Sequence, residues 1–179
     1  MKKKVLLIIA IGFFAVLLLT VLVLPAVIKR MGMHPDYTGQ RYMLPKGKAL
    51  IITTSHDNLG NTGKKTGVFG SEMTAPYYEF LDGRMSVDIA SINGGEIPID
   101  PSSFNRFIIS EYDKRYLKDP VFKNKVKNSL HIDDLEFAKY DIIFLAGGWG
   151  AAYDLGYSKV LRRKITEAYT AGKIIGGVC

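Results

Sequence analysis

The longest hydrophobic signal comes first: no charged residue interrupts the apolar run from Val5 to Ile28. As a helix rising ~1.5 Å per residue, such a run crosses a hydrocarbon core of ~30 Å with some tilt. Beyond it the pattern shortens and begins to alternate. Lys48–Thr54 is a continuous β-rich stretch, the pattern of a strand buried on both faces. Ser55–Gly67 is turn-rich. Val68, Phe69, Met73, Tyr77 and Phe80 then recur at helical spacing, predicting a helix over 68–81 in which Pro76 marks a kink or restart. Val87–Ile92 reads as a second strand, and 93–101 as a turn and an extended segment. Phe104–Leu135 mixes aromatics with Lys114, Arg115, Lys118, Lys123, Lys125 and Lys127. A helix with a solvated basic face is expected there, with a phosphate or lipid-headgroup surface as the alternative. Tyr140–Ala146 is a third strand, Tyr157–Ala171 a basic amphipathic helix, and Lys173–Val178 a last strand. Strands alternating with helices predict an α/β fold on a mostly parallel sheet of about four strands.

The apolar run is flanked by Lys2, Lys3 and Lys4 before it and by Lys29 and Arg30 after it. It is longer than the ~7–15 apolar residues of a cleavable signal, and Pro25-Ala26-Val27 makes a poor cleavage site. It also lacks the polar face of a core helix. Residues 1–30 are therefore expected to be an uncleaved single-pass anchor contacting the bilayer through 5–28. The larger basic excess before the span puts the N-terminus in the cytoplasm and the domain outside it. Residues 31–46, with the isolated His34, read as a linker, and 47–179 as the domain. The net charge of +7 loses its apparent meaning once these flanks are separated, because the rest of the chain holds 19 basic against 17 acidic residues. That balance argues against a nucleic-acid partner.

Candidate chemistry gathers at strand ends. Cys179, the only cysteine, follows the last strand, where α/β sheets carry their reactive groups. A single cysteine also rules out an internal disulfide. Gly147-Gly148-Trp149-Gly150 follows another strand, and its small residues let backbone N–H groups approach an oxyanion. Glu72 lies in the first helix of the domain, where it could hydrogen-bond to the thiol or a substrate oxygen. A metal is not expected: His56-Asp57 and His131-x-Asp133 lack a third well-spaced ligand.

Several stretches together resemble the DJ-1/PfpI superfamily. They are Ser55–Gly67, Glu72, Ala75-Pro-Tyr-Tyr78, Pro98-Ile-Asp-Pro101, Asp141–Gly148, Ala171-Gly-Lys173 and Val178-Cys179. The long loop after the first strand is similar to that of the Hsp31-like glyoxalase III branch, and the likeness runs from Lys48 to Cys179. The resemblance implies a flavodoxin-like sandwich with a nucleophile elbow, related to class I glutamine amidotransferase domains. It further implies cofactor-free attack of a thiolate on a small aldehyde such as methylglyoxal, giving a hydroxy acid. Cys179 then matches the nucleophile, Glu72 the neighbouring acid, and Gly148 with the Trp149 backbone the oxyanion turn.

Two departures accompany the likeness. Trp149 stands where the Hsp31-like branch commonly has His, and the His that usually follows the nucleophile is not present. The chain accordingly reads as a domain cut at its elbow, with its C-terminal part missing and little activity of its own: it lacks a general base and a second oxyanion donor. The expected partners are the bilayer and a small aldehyde or acyl substrate, with a homodimer left open. The alternatives are an amidase- or peptidase-like hydrolase on the same fold, and a non-catalytic membrane-tethered redox sensor or chaperone.

Overall fold

A computed structural model describes residues 2–31, 39–40 and 42–179. Residues 32–38, which include His34 and part of the expected linker, lie outside the described residues, as does Arg41. The chain forms two compact units, one built on the N-terminal helix and one comprising Gln40–Asn105 and Ile109–Cys179.

Helix α1 runs Lys2–Arg30, and Lys3–Ile28 is long and apolar enough to cross a membrane. None of that stretch is buried by protein: Leu6 and Phe13 are each more than 70% exposed. The one polar side chain between Val5 and Ile28, that of Thr20, is satisfied within the helix by donating to the Val16 carbonyl at 2.9 Å.

The second unit is organised by a parallel sheet with strand order β3-β2-β1-β4-β5. Its strands are β1 (Lys48–Thr53), β2 (Ser86–Ser91), β3 (Leu130–His131), β4 (Ile142–Ala146) and β5 (Ile174–Val178). Ala49, Leu50, Ile51 and Ile52 of the central β1 are fully buried, which explains why that strand reads as an unbroken apolar run. Alternation divides its contacts between two cores. Ala49 and Ile51, with Val87 and Ile89, pack beneath Met73, Tyr77 and Tyr78 of α2 (Gly70–Asp82). Tyr116, Phe122 and Val126 of the short helices α3 (Glu111–Tyr116) and α4 (Pro120–Lys127) join this core. Leu50, Ile52 and Ile143 face the other way, toward Leu161 and Ala168 of α5 (Lys159–Thr170). Helices on both faces of an all-parallel sheet make the expected flavodoxin-like sandwich.

Three details differ from the sequence reading. Pro76 lies within a continuous α2. Its missing N–H removes only the bond to the Glu72 carbonyl, and burial of Met73, Tyr77 and Tyr78 holds both halves of the helix in place. The stretch 104–135 is not one helix. Asp119 caps α4 by accepting from the N–H groups of Val121 and Phe122 at 2.9 and 3.0 Å, and Pro120 restarts the chain at the first helical position. The sheet has five strands because Leu130 and His131 pair with Ala90 and Ser91. A two-residue strand is too short to show a period.

Asp113, 1% exposed, ties α3 to α2. It accepts from Thr74 Oγ1 at 2.7 Å and from the Ser110 N–H and Oγ at 3.0 and 2.6 Å, closing a capping box. Replacing it would strand buried donors. Asp113→Ala is expected to cost about 2–4 kcal/mol, measured as the shift in urea unfolding.

Candidate active site

Register brings the site together. Ala146 pairs with Val178, so β4 and β5 end side by side, and the next residues are Gly147 and Cys179. The first turn of α2 sits against the same corner, with the Phe69 N–H donating to the Gly147 carbonyl at 3.2 Å. Gly147 is the point of closest approach. A Cβ placed there would fall 2.6 Å from the Val178 carbonyl oxygen, 2.7 Å from Cys179 Cβ and 2.8 Å from Glu72 Oε2. Only a residue without a side chain lets the thiol, the carboxyl and the strand end meet. The sequence reading placed Gly147 in the glycine-rich turn but assigned the oxyanion role to Gly148 and Trp149, without the crowding that makes Gly147 obligatory.

Gly148 is constrained differently. Its φ is +108°, and a Cβ there would lie 2.4 Å from the Phe69 nitrogen, so both conformation and space exclude a side chain. Cys179 itself has φ +75°; Arg84 is the only other non-glycine residue with positive φ among the described residues. Holding a side-chain-bearing residue in this region costs ~1–3 kcal/mol, strain of the kind that gathers at functional sites. The thiol is exposed and unpaired in any disulfide.

Glu72 lies in the first turn of α2 and is half-buried. Oε2 is buried without a hydrogen-bond partner among the described residues. Burial pushes its carboxyl above the ordinary value, against smaller downward pulls from the Cys179 side chain and the Gly147 backbone. A carboxyl poised in this way can give or take a proton beside the thiol.

Trp149 opens a short 3₁₀ turn, Trp149–Ala152, whose N-cap is Gly148. Its side chain is 68% exposed, so it does not wall a closed pocket. The Gly150 N–H is used, donating to the Gly67 carbonyl at 3.1 Å. No backbone carbonyl among the described residues accepts from the N–H of Gly148 or Trp149. Residues missed by the sequence reading hold the turn: Asp154 accepts from the Ser55 N–H at 2.7 Å, and Tyr153 stacks on His56 at 4.2 Å and 12°. That stack, with His56 Nε2 on the Asn58 carbonyl at 2.5 Å, gives His56 a role in fixing the loop. His131 ends β3, at the opposite edge of the sheet from β5. Among the described residues no three His, Cys, Asp or Glu side chains cluster as a metal site.

The raised Glu72 carboxyl has a definite consequence for stability. The folded state holds this proton to higher pH than the unfolded chain, so stability falls as pH rises from the ordinary value of 4.5 through the raised one. Glu72→Gln removes that slope. Relative to wild type, the variant is expected to gain unfolding midpoint as pH rises through this window, and parallel pH profiles for the two proteins would contradict the burial of the acid.

No family model matches the chain. The glutathione-independent glyoxalase Hsp3102 of Schizosaccharomyces pombe is 29% identical over 140 residues, covering 76% of this chain and 58% of that protein. The X-ray structure of the Francisella tularensis Rapid Encystment Protein of 24 kDa superposes with a TM-score of 0.69 at 40% identity, covering 74% of this chain and 58% of that one. Glyoxalase III of Candida albicans gives a TM-score of 0.66 at 29% identity, with 74% and 56% covered. A two-domain protein of Anabaena variabilis with a DJ-1/ThiJ/PfpI-like domain shares the fold alone, at 13% identity and a TM-score of 0.51 over 75% of this chain and 30% of that one. The chain thus spans a little over half the length of the glyoxalases it matches. Over its α/β domain the chain is similar, at modest identity, to glutathione-independent glyoxalases, and it shares its fold with a DJ-1/ThiJ/PfpI-like domain.

Proposed function

We propose that this chain supplies the nucleophile, the acid and the oxyanion turn of a membrane-tethered, glutathione-independent glyoxalase. The observation that carries this reading is the meeting of Cys179 with the buried, unpartnered Oε2 of Glu72 over the bare Cα of Gly147. The glyoxalase relatives supply the substrate class. In the proposed reaction the Cys179 thiolate adds to the aldehyde carbon of methylglyoxal, forming a C–S bond and leaving the former carbonyl oxygen as an oxyanion. The N–H groups of Gly148 and Trp149 are the proposed donors to that oxygen. Glu72 carries a proton from the former aldehyde carbon to the neighbouring carbon through an enediol, leaving a thioester. Water then cleaves the C–S bond, restoring the thiol and releasing lactate. Substrate and water account for every atom, no net oxidation occurs, and no cofactor is consumed. The length and exposure of α1 support the accompanying reading of a bilayer anchor, and the basic excess before the span supports a domain on the extracytoplasmic side.

The test is lactate formation from methylglyoxal without glutathione. Cys179→Ala is expected to abolish turnover, and Glu72→Gln to lower kcat by about 10²–10⁴. Turnover that survives Cys179→Ala would refute the assignment.

A further inference from the structure

The α3–α4 edge carries a local excess of basic side chains. Between residues 114 and 127 there are six basic side chains, and three have acidic partners: Lys114 with Glu111 at 2.8 Å, Arg115 with Asp82 at 2.7 Å and Lys125 with Asp88 at 4.0 Å. Asp119, the one acidic residue within the stretch, is engaged as the α4 cap and by the Tyr78 hydroxyl. That leaves Lys118, Lys123 and Lys127 exposed and without an ion pair among the described residues. Lys123 Nζ donates to the Leu117 carbonyl at 2.6 Å, which draws its charge to the junction of the two helices. At that junction Leu117 is 42% and Val121 64% exposed. Phe122 and Val126 anchor α4 in the core.

We propose that this edge docks on an anionic phospholipid surface, with Lys118, Lys123 and Lys127 on the headgroups and Leu117 and Val121 entering the interface. The inference rests on reading α1 as a membrane anchor. Three unpaired lysines are few for a nucleic-acid site, where several phosphate contacts supply the affinity. They suffice for a surface to which the domain is already tethered. Only 11 residues separate Arg30 from Tyr42, a reach of at most ~40 Å, so docking is effectively intramolecular. Exposed aliphatic side chains beside lysines also suit a headgroup boundary better than a phosphodiester backbone.

The full chain is reconstituted into phosphatidylcholine vesicles with and without phosphatidylglycerol, and hydrogen exchange is followed across α1, β1 and residues 117–127. Anionic lipid is expected to slow exchange over 117–127 roughly tenfold. Raising the salt from ~0.1 to ~1 M should reverse this as the Debye length contracts from ~10 to ~3 Å. The triple variant Lys118→Glu, Lys123→Glu, Lys127→Glu should lose the protection while β1 exchanges as before, and the triple arginine variant should keep it. Unchanged exchange over 117–127 with α1 protected overturns the docking alone. If α1 exchanges freely in both vesicle types, the anchor reading fails and the docking with it. Slowing by a single-stranded oligonucleotide but not by anionic vesicles overturns the proposal in favour of nucleic acid.

Discussion

The close approach of the first turn of α2 to the ends of β4 and β5 is the constraint on which the site depends. The Phe69 N–H meets the Gly147 carbonyl, the space around Gly147 and Gly148 has no room for a Cβ, and Glu72 is carried against the strand tip that bears Cys179. A wider gap would admit water, satisfy Glu72 Oε2 and remove the burial that lifts its carboxyl. The same packing that stabilises the sandwich therefore sets the acidity of the group beside the thiol. Conformational cost is concentrated here too, in the positive φ of Cys179 and the unpartnered Oε2.

A second set of contacts keeps that approach in place. Asp113 draws α3 onto α2 through Thr74, only two residues from Glu72. On the other side, Asp154 and the His56–Tyr153 stack hold the turn after β4 to the loop after β1. The glycine-rich corner is thus clamped from both sides by polar and aromatic contacts that join segments remote in sequence.

Such remoteness explains what was legible in the sequence. β1 and β4 could be read because strands covered on both faces are apolar throughout, and α1 because nothing polar breaks its run. Cys179, Glu72 and Gly148 could be named because strand ends, an acid in a first helical turn and paired glycines are local signals. Gly147 could not be ranked above Gly148, since its importance lies in pairing register and in what crowds it. β3 is too short to alternate. The break at Asp119-Pro120 was written in the cap chemistry but masked by the surrounding lysines. Asp113 and Asp154 look like ordinary surface acids until the fold brings Thr74 and Ser55 to them.

Trp149 is the chain's only tryptophan, and its side chain stands exposed, one residue from Gly148. All indole emission from this chain therefore originates on the turn that follows β4. Movement of that turn, or a molecule settling over it, will register in the wavelength and quenching of that single emitter. Tryptophan emission excited beyond the tyrosine absorption is thus a report on one loop, obtained without a label.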